Sequence, residues 1–194
     1  MGFSILHYLR QCLIYPHRTG SIAPSCEELS DLITDTAQLD KVSTVIEFGS
    51  GTGVFTEKIL EKLSDDATFF ALEINPEFVE ATKERCPQAI VYNDTAENAR
   101  MHLEKHGKES CDCIISGLPW AVFGANMQDR LLHTVYDILK PGGKLLTMAY
   151  LHGVPFPTAQ RFKARLYSMF PRVIKTKTVW SNLPPAFVYC AKKK

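Results

Sequence analysis

Glu47, Gly49, Ser50, Gly51, Thr52 and Gly53 fall in one short run, E-x-G-x-G-x-G, between the apolar pair Val45-Ile46 and a helical pattern over 54–63. Strand, glycine turn and helix bring a backbone close to a charged ligand. Glycine tolerates positive φ, and the first amides of a helix are free to donate. The spacing narrows the ligand. A dinucleotide fingerprint, G-x-G-x-x-G, would place its third glycine at position 54, where Val54 stands. A phosphate-cradling loop would close on Gly-Lys-Ser/Thr, and none follows. Glu73 ends the next apolar run, where an acidic residue can accept hydrogen bonds from ribose hydroxyls. Asp94 follows the third such run. Asp94-Thr95-Ala96-Glu97 reads there as a capping box. Ser116-Gly117-Leu118-Pro119-Trp120 follows the fourth run. Trp120 offers a π face to a cationic amine, or packs in the core. Tyr150 and His152 close the fifth run, as pocket wall or, for His152, as a general base.

These residues need a frame. Strand-like runs at 44–48, 68–72, 89–92, 113–116 and 144–150 alternate with helical patterns at 54–63, 76–86, 95–105 and 124–139. Such alternation predicts a doubly wound α/β sheet that is mostly parallel. Asn75-Pro76 reads as N-cap and first helical residue. Ser25-Cys26-Glu27-Glu28 reads as a capping box opening a helix to about residue 38. Lys140-Pro141-Gly142-Gly143 ends one helix and turns into the next strand. After a helix at 158–169, runs at 172–180 and 186–191 flank Ser181-Asn182-Leu183-Pro184-Pro185 and predict an antiparallel hairpin at the sheet edge.

Bulk properties bound the function. The 194 residues fit one domain, 1–194, with a buried core, and the net charge of +1 supplies no field for nucleic acid. The cysteines at 12, 26, 86, 111, 113 and 190 contain no C-x-x-C spacing, so free thiols are expected and no metal site. No signal peptide and no membrane span are legible, which leaves a cytoplasmic protein, most simply a monomer.

The glycine run resembles motif I of the class I S-adenosylmethionine-dependent methyltransferases. Further segments carry a closer resemblance: YPHRTGSIAPS (15–25), EFGSGTGVFT (47–56), LEINPEF (72–78), SGLPW (116–120), LKPGGKLL (139–146) and WSNLPPAFVY (180–189). Together they resemble the bacterial phospholipid N-methyltransferases, which methylate phosphatidylethanolamine on the way to phosphatidylcholine and are similar to ribosomal RNA adenine dimethylases. The latter have an added C-terminal helical domain for which this chain leaves no room. Serine and glycine at 116–117 also replace the asparagine of base-amine methyltransferases. The resemblance implies a Rossmann-like fold with a seven-stranded sheet. It implies S-adenosylmethionine, held by Glu47, Gly49, Ser50, Gly51, Thr52, Gly53, Glu73, Ile74, Asp94, Thr95, Ala96 and Ser116, with Ile22 in a lid at 21–25. Glu47 would orient the amino end of the methionine moiety, directly or through water. Ser116, Gly117, Leu118, Trp120 and His152 would surround the lipid amine. An RNA adenine or small-molecule N-methyltransferase, and a non-catalytic cofactor-binding membrane adaptor, are the alternatives.

The N-terminus fits a lipid surface independently. Ile5, Leu6, Leu9, Cys12 and Leu13 recur at helical spacing, and no acidic residue precedes Glu27. A short amphipathic helix within residues 1–18 would lie on an anionic membrane, with Tyr15, His17 and Arg18 near lipid phosphate. A helix packed on the domain is the other reading. The enzyme would then be cytoplasmic and peripheral on the inner face of the membrane.

Overall fold

The computed structural model describes residues 23–194, with side chains from residue 27 onward. The expected amphipathic helix, the lid residue Ile22 and the phosphate candidates Tyr15, His17 and Arg18 lie outside the described residues. The elements run α1 (Ala23–Ala37), β1 (Thr44–Phe48), α2 (Val54–Lys62), β2 (Thr68–Glu73), α3 (Pro76–Arg85), β3 (Val91–Asn93), α4 (Ala99–Lys105), β4 (Cys111–Ser116), α5 (Ala125–Ile138), β5 (Leu139–Tyr150), α6 (Pro157–Met169), β6 (Arg172–Lys175) and β7 (Ala186–Lys192). One seven-stranded sheet has the order β3-β2-β1-β4-β5-β7-β6. The first five strands are parallel, and β7 is antiparallel to both β5 and β6. This is the Rossmann-like doubly wound sheet with an antiparallel edge hairpin.

β1 is buried along its whole length, as a central parallel strand covered on both faces must be. Side-chain alternation divides the core. Ile46, Phe48, Phe70, Leu72, Ile114 and Leu145 meet α4, α5 and α6 on one face. Val45, Ala71, Ile115 and Leu146 meet α1, α2 and α3 on the other. Phe48 is in register with Leu72 and with Ser116. Three strand ends therefore stop side by side, where the chain order reverses between β1 and β4. A doubly wound sheet opens its ligand crevice at this point.

Local signals are partly kept. Asn75 accepts from the Glu77 amide at 3.0 Å, with Pro76 in the first turn, as its sequence predicts. The helix expected to open on Ser25 begins at Ala23 instead, so Ser25 is inside its first turn, where Pro24 also falls. Glu28 accepts from the Ser181 hydroxyl. The strand expected over 172–180 stops at Lys175. There the Thr176 hydroxyl takes the Val188 amide at 2.9 Å and interrupts the ladder, which returns only as a bridge at Val179. β5 starts at Leu139, ahead of the expected residue 144. Leu139 pairs with Cys111, and regular pairing resumes at Lys144 with Cys113, leaving 140–143 as a bulge with Gly142 at φ 79°.

Candidate functional site

The glycine run forms the turn between β1 and α2. Gly49, Gly51 and Gly53 have φ values of 77°, 56° and 81°, a region that L side chains rarely adopt. The Gly49 amide donates to Leu72 O at 2.8 Å, and the Gly53 amide to Ser50 O at 2.9 Å. α3 pins the loop from outside. The Thr82 hydroxyl donates to Ser50 Oγ at 3.0 Å and to Gly51 O at 2.9 Å, and Arg85 Nε donates to Thr52 O at 2.9 Å. Thr82 and Arg85 were not singled out in the sequence. Their helical spacing from Asn75 could mark the inward side of α3, but not what they meet.

Glu73 completes the loop. Its Oε2 accepts from the Gly51 amide at 3.0 Å and its Oε1 from the Asn75 amide at 2.9 Å. The carboxylate is buried and lines a cavity of about 310 Å³. Gly49, Ser50, Gly51, Thr52, Ile74, Asp94, Thr95, Ala96, Gly117, Leu118, Trp120 and His152 line the same cavity. Residues from five separate segments thus meet in one place.

Glu47, Gly53 and Ser116 do not line it. Gly53 caps α2. Glu47 lies beneath the loop and is fully buried, with Thr56 of α2 donating to its Oε2 at 2.6 Å and Oε1 lacking a partner among the described residues. Burial raises its pKa to about 8, the Thr56 hydroxyl opposes that rise, and Glu73 adds to it. The folded state therefore holds the proton more tightly than the unfolded chain. Stability from this group is complete below about pH 4.5 and is lost as pH rises through about 8. Glu47→Gln keeps the neutral shape. It is expected to match the wild-type melting temperature near pH 5, to exceed it by several degrees near pH 9, and to flatten the slope between, as read by calorimetry across that range. Parallel slopes in the two proteins would contradict a protonated Glu47.

Ser116 is buried and holds the adjoining loop. Its Oγ accepts from the Trp120 indole N–H at 3.2 Å and from the Leu118 amide at 3.3 Å, while its carbonyl accepts from Thr147 at 3.2 Å. Gly117 donates to Phe48 O at 2.8 Å. Trp120 is buried, with one face stacked on Phe162 at 4.6 Å and 19°. The ring is thus a core residue and a cavity wall together. His152 stacks on Tyr150 at 5.6 Å.

The capping box at Asp94 does not form. Thr95 caps the following turn, accepting from Glu97 N at 3.4 Å, and the Glu97 carboxylate is drawn away to Arg130 at 2.8 Å. Asp94 is instead fixed by the Thr95 amide (2.7 Å), Asn98 Nδ2 (2.8 Å) and His102 Nε2 (2.9 Å). The His102 hydrogen bond leads in holding this carboxyl below its usual range, so it faces the cavity as an anion. His102 is a residue that sequence reasoning missed. Ala99, His102 and Leu103 share a helical face, and a histidine on a buried face needs a polar partner.

Gln128 was missed for the same reason. It continues the apolar face of Leu131, Leu132 and Val135 and is buried. Its Nε2 donates to Trp120 O at 2.8 Å and to Thr158 O at 3.0 Å, tying the Pro119–Phe123 loop to α6. Gln128→Leu strands both carbonyls. Urea unfolding is expected to show a loss of about 1–2 kcal/mol, with methyl-transfer activity falling less than in the variants discussed below.

The described residues contain no group of three or more His, Cys, Asp or Glu able to hold a metal. Cys111 packs in one core layer and Cys113 in the other. Burial pushes the Cys111 thiol up to about 12 and raises that of Cys113 as well.

The site fits a nucleoside-bearing cofactor. A Cβ on Gly51 would meet nothing within 4 Å, so its backbone opens onto the cavity. A buried carboxylate beside it could accept from hydroxyl donors, and the anionic Asp94 could accept from an amino group. Comparisons with known proteins agree. Residues 45–143 match the family described as a methyltransferase domain. The chain is 30% identical over 181 residues to an ornithine lipid N-methyltransferase of Singulisphaera acidiphila, covering 90% of each. It is 20% identical to the ubiquinone/menaquinone biosynthesis C-methyltransferase UbiE of an Enterobacter species, over 89% of this chain and 73% of that one. Its fold matches the O-methyltransferase from Bacillus cereus solved in complex with SAH, with a TM-score of 0.70 at 15% identity, over 100% of this chain and 92% of the other. With its glycine turn, Glu73 and Asp94 gathered at the switch point of the sheet, the chain belongs to the methyltransferase-domain family and is an S-adenosylmethionine-dependent methyltransferase.

Proposed function

We propose that this enzyme methylates the amine of a membrane aminolipid: an ornithine-type lipid, or phosphatidylethanolamine and its methylated intermediates. One observation carries the reading. Past the Gly117–Trp120 loop the cavity wall is mainly apolar, with Phe123, Met127, Leu131, Phe162 and Phe187 in it. An amine attached to an apolar body suits such a wall; a nucleic-acid base with its phosphates does not. The similarity to an ornithine lipid N-methyltransferase supports the same class.

The cofactor supplies an electrophilic sulfonium methyl group. The protein's task is alignment, because a correctly held lone pair needs little further activation. Leu118 and Trp120 form the wall against which the amine would rest. The amine must be neutral to attack, so its proton leaves to water or to a neighbouring side chain. His152, beside Tyr150 on the same wall, is the residue we assign to receive it. Lys163 lines the cavity too and would meet the carboxylate or phosphate that accompanies such an amine. Glu47 and Ser116 serve as positioning residues, below the cofactor loop and the substrate loop respectively.

Residues 1–18 would bring the active site to an anionic surface, making the enzyme a peripheral protein of the inner membrane face and most simply a monomer. No helix among the described residues is long and apolar enough to cross a membrane.

The test is a lipid extract from cells expressing the enzyme in a host that makes both aminolipids. Mass spectrometry is expected to show one class gaining methyl groups, and a His152→Ala strain is expected to show less. Unchanged lipids, with the purified protein still binding S-adenosylmethionine, would overturn the reading.

A further inference from the structure

β5, β7 and β6 place basic residues in one row. Lys144 is directly opposite Lys192, and Lys192 directly opposite Arg172. Direct cross-strand neighbours share a face of the sheet, and like charges so placed repel. Lys144 pairs with Cys113 on its other side, at the end of β4 away from Ser116. The row therefore lies at the opposite end of the strands from the methyl-transfer site. It borders a second cavity of about 320 Å³ that shares no lining residue with the first.

Thr36 and Gln38, at the end of α1, close that cavity over Ile174 and Cys190. No carboxylate lines it among the described residues. Neighbouring lysines are already engaged: Lys140 pairs with Asp112, and Lys193 donates to Tyr136 O and Leu139 O. Lys144 donates to Ala37 O at 3.2 Å and Gln38 Oε1 at 3.3 Å, which also covers the helix-end carbonyl that would repel an anion. Arg172 and Lys192 are exposed, and their side chains have no hydrogen bond or ion pair among the described residues. Lys144, Arg172 and Lys192 line the cavity together with Cys190; burial raises that thiol's pKa, and the three cations oppose the rise.

We propose that this second cavity binds a phosphate-bearing anion. Arg172 offers the planar fork that matches phosphate oxygens, Lys144 and Lys192 add point charges, and the Thr36 hydroxyl is a further donor. The bound anion relieves the repulsion along the row, which links the sheet edge to ligand occupancy. A soluble phosphate ester and the phosphate head group of an anionic lipid share this chemistry.

The experiment compares the full chain with an Arg172→Gln/Lys192→Gln double variant, which leaves the methyl-transfer cavity untouched. Thermal unfolding is followed at low salt, with inorganic phosphate, and with sodium chloride of equal ionic strength. Phosphate is expected to raise the wild-type midpoint by several degrees more than chloride. The double variant is expected to melt at or above the wild type without phosphate and to ignore its addition. Flotation with vesicles of phosphatidic acid in phosphatidylcholine separates the sources. Several-fold weaker retention of the variant marks a lipid head group; equal retention with the phosphate effect intact marks a soluble ester. A wild-type response to phosphate no larger than to chloride, or one equally present in the variant, overturns the proposal. Should the double variant not fold, Arg172→Gln alone answers the same comparison.

Discussion

Glu73→Ala is expected to weaken S-adenosylmethionine binding by at least about 100-fold, because two charge-assisted hydrogen bonds of roughly 1.5–3 kcal/mol each are removed and tenfold in affinity is about 1.4 kcal/mol. The carboxylate does two jobs. It accepts the Gly51 amide and the Asn75 amide, so its loss unties the glycine turn from the start of α3. It also lines the cavity next to the open backbone of Gly51, where cofactor hydroxyls would donate to it. Titration calorimetry measures the effect directly. Glu73→Gln can accept one amide but not both as an anion, and is expected to fall between. Wild-type affinity in Glu73→Ala would remove Glu73 from the cofactor site.

Gly117→Ala is expected to reduce methyl transfer by more than about 100-fold, a loss typical of displacing reacting groups by about 1 Å. A Cβ at 117 would lie 2.7 Å from Gly49 O, which is backbone and cannot rotate away. Relief requires the substrate loop and the glycine turn to part. Gly49 faces the same junction from the other side, where its own Cβ would stand 3.1 Å from Leu118 Cδ2. On the proposed assignment the two loops carry opposite halves of the reaction, so parting them would damage cofactor binding and alignment together. Overpacking of this kind also costs about 1–3 kcal/mol of stability. The check is single-turnover transfer at saturating cofactor, alongside urea unfolding. A stable variant with near wild-type transfer would contradict the close fit of the two loops.

Much of this frame is legible in the chain because its signals are local. The glycine run, Asn75-Pro76 and the alternation of apolar runs each depend on neighbours in sequence. They suffice to bring thirteen of the chosen residues to one cavity. The contacts that the sequence hides depend on partners on other elements. Glu97 leaves its expected capping role because Arg130, on α5, offers a better one. Asp94 is fixed by His102 across a helix, and Gln128 by carbonyls of two other segments. Period-two alternation also places Glu47. It shares the Val45 face of β1, toward α2 and Thr56, and that face lies under the loop.

The most direct measurement is transfer of a labelled methyl group from S-adenosylmethionine to vesicles holding an ornithine lipid or phosphatidylethanolamine, with and without an anionic lipid, and with total RNA in parallel. The account predicts label in an aminolipid, faster transfer when the anionic lipid is present, and none in RNA. Label in RNA alone, or in neither while cofactor binding is intact, would contradict it.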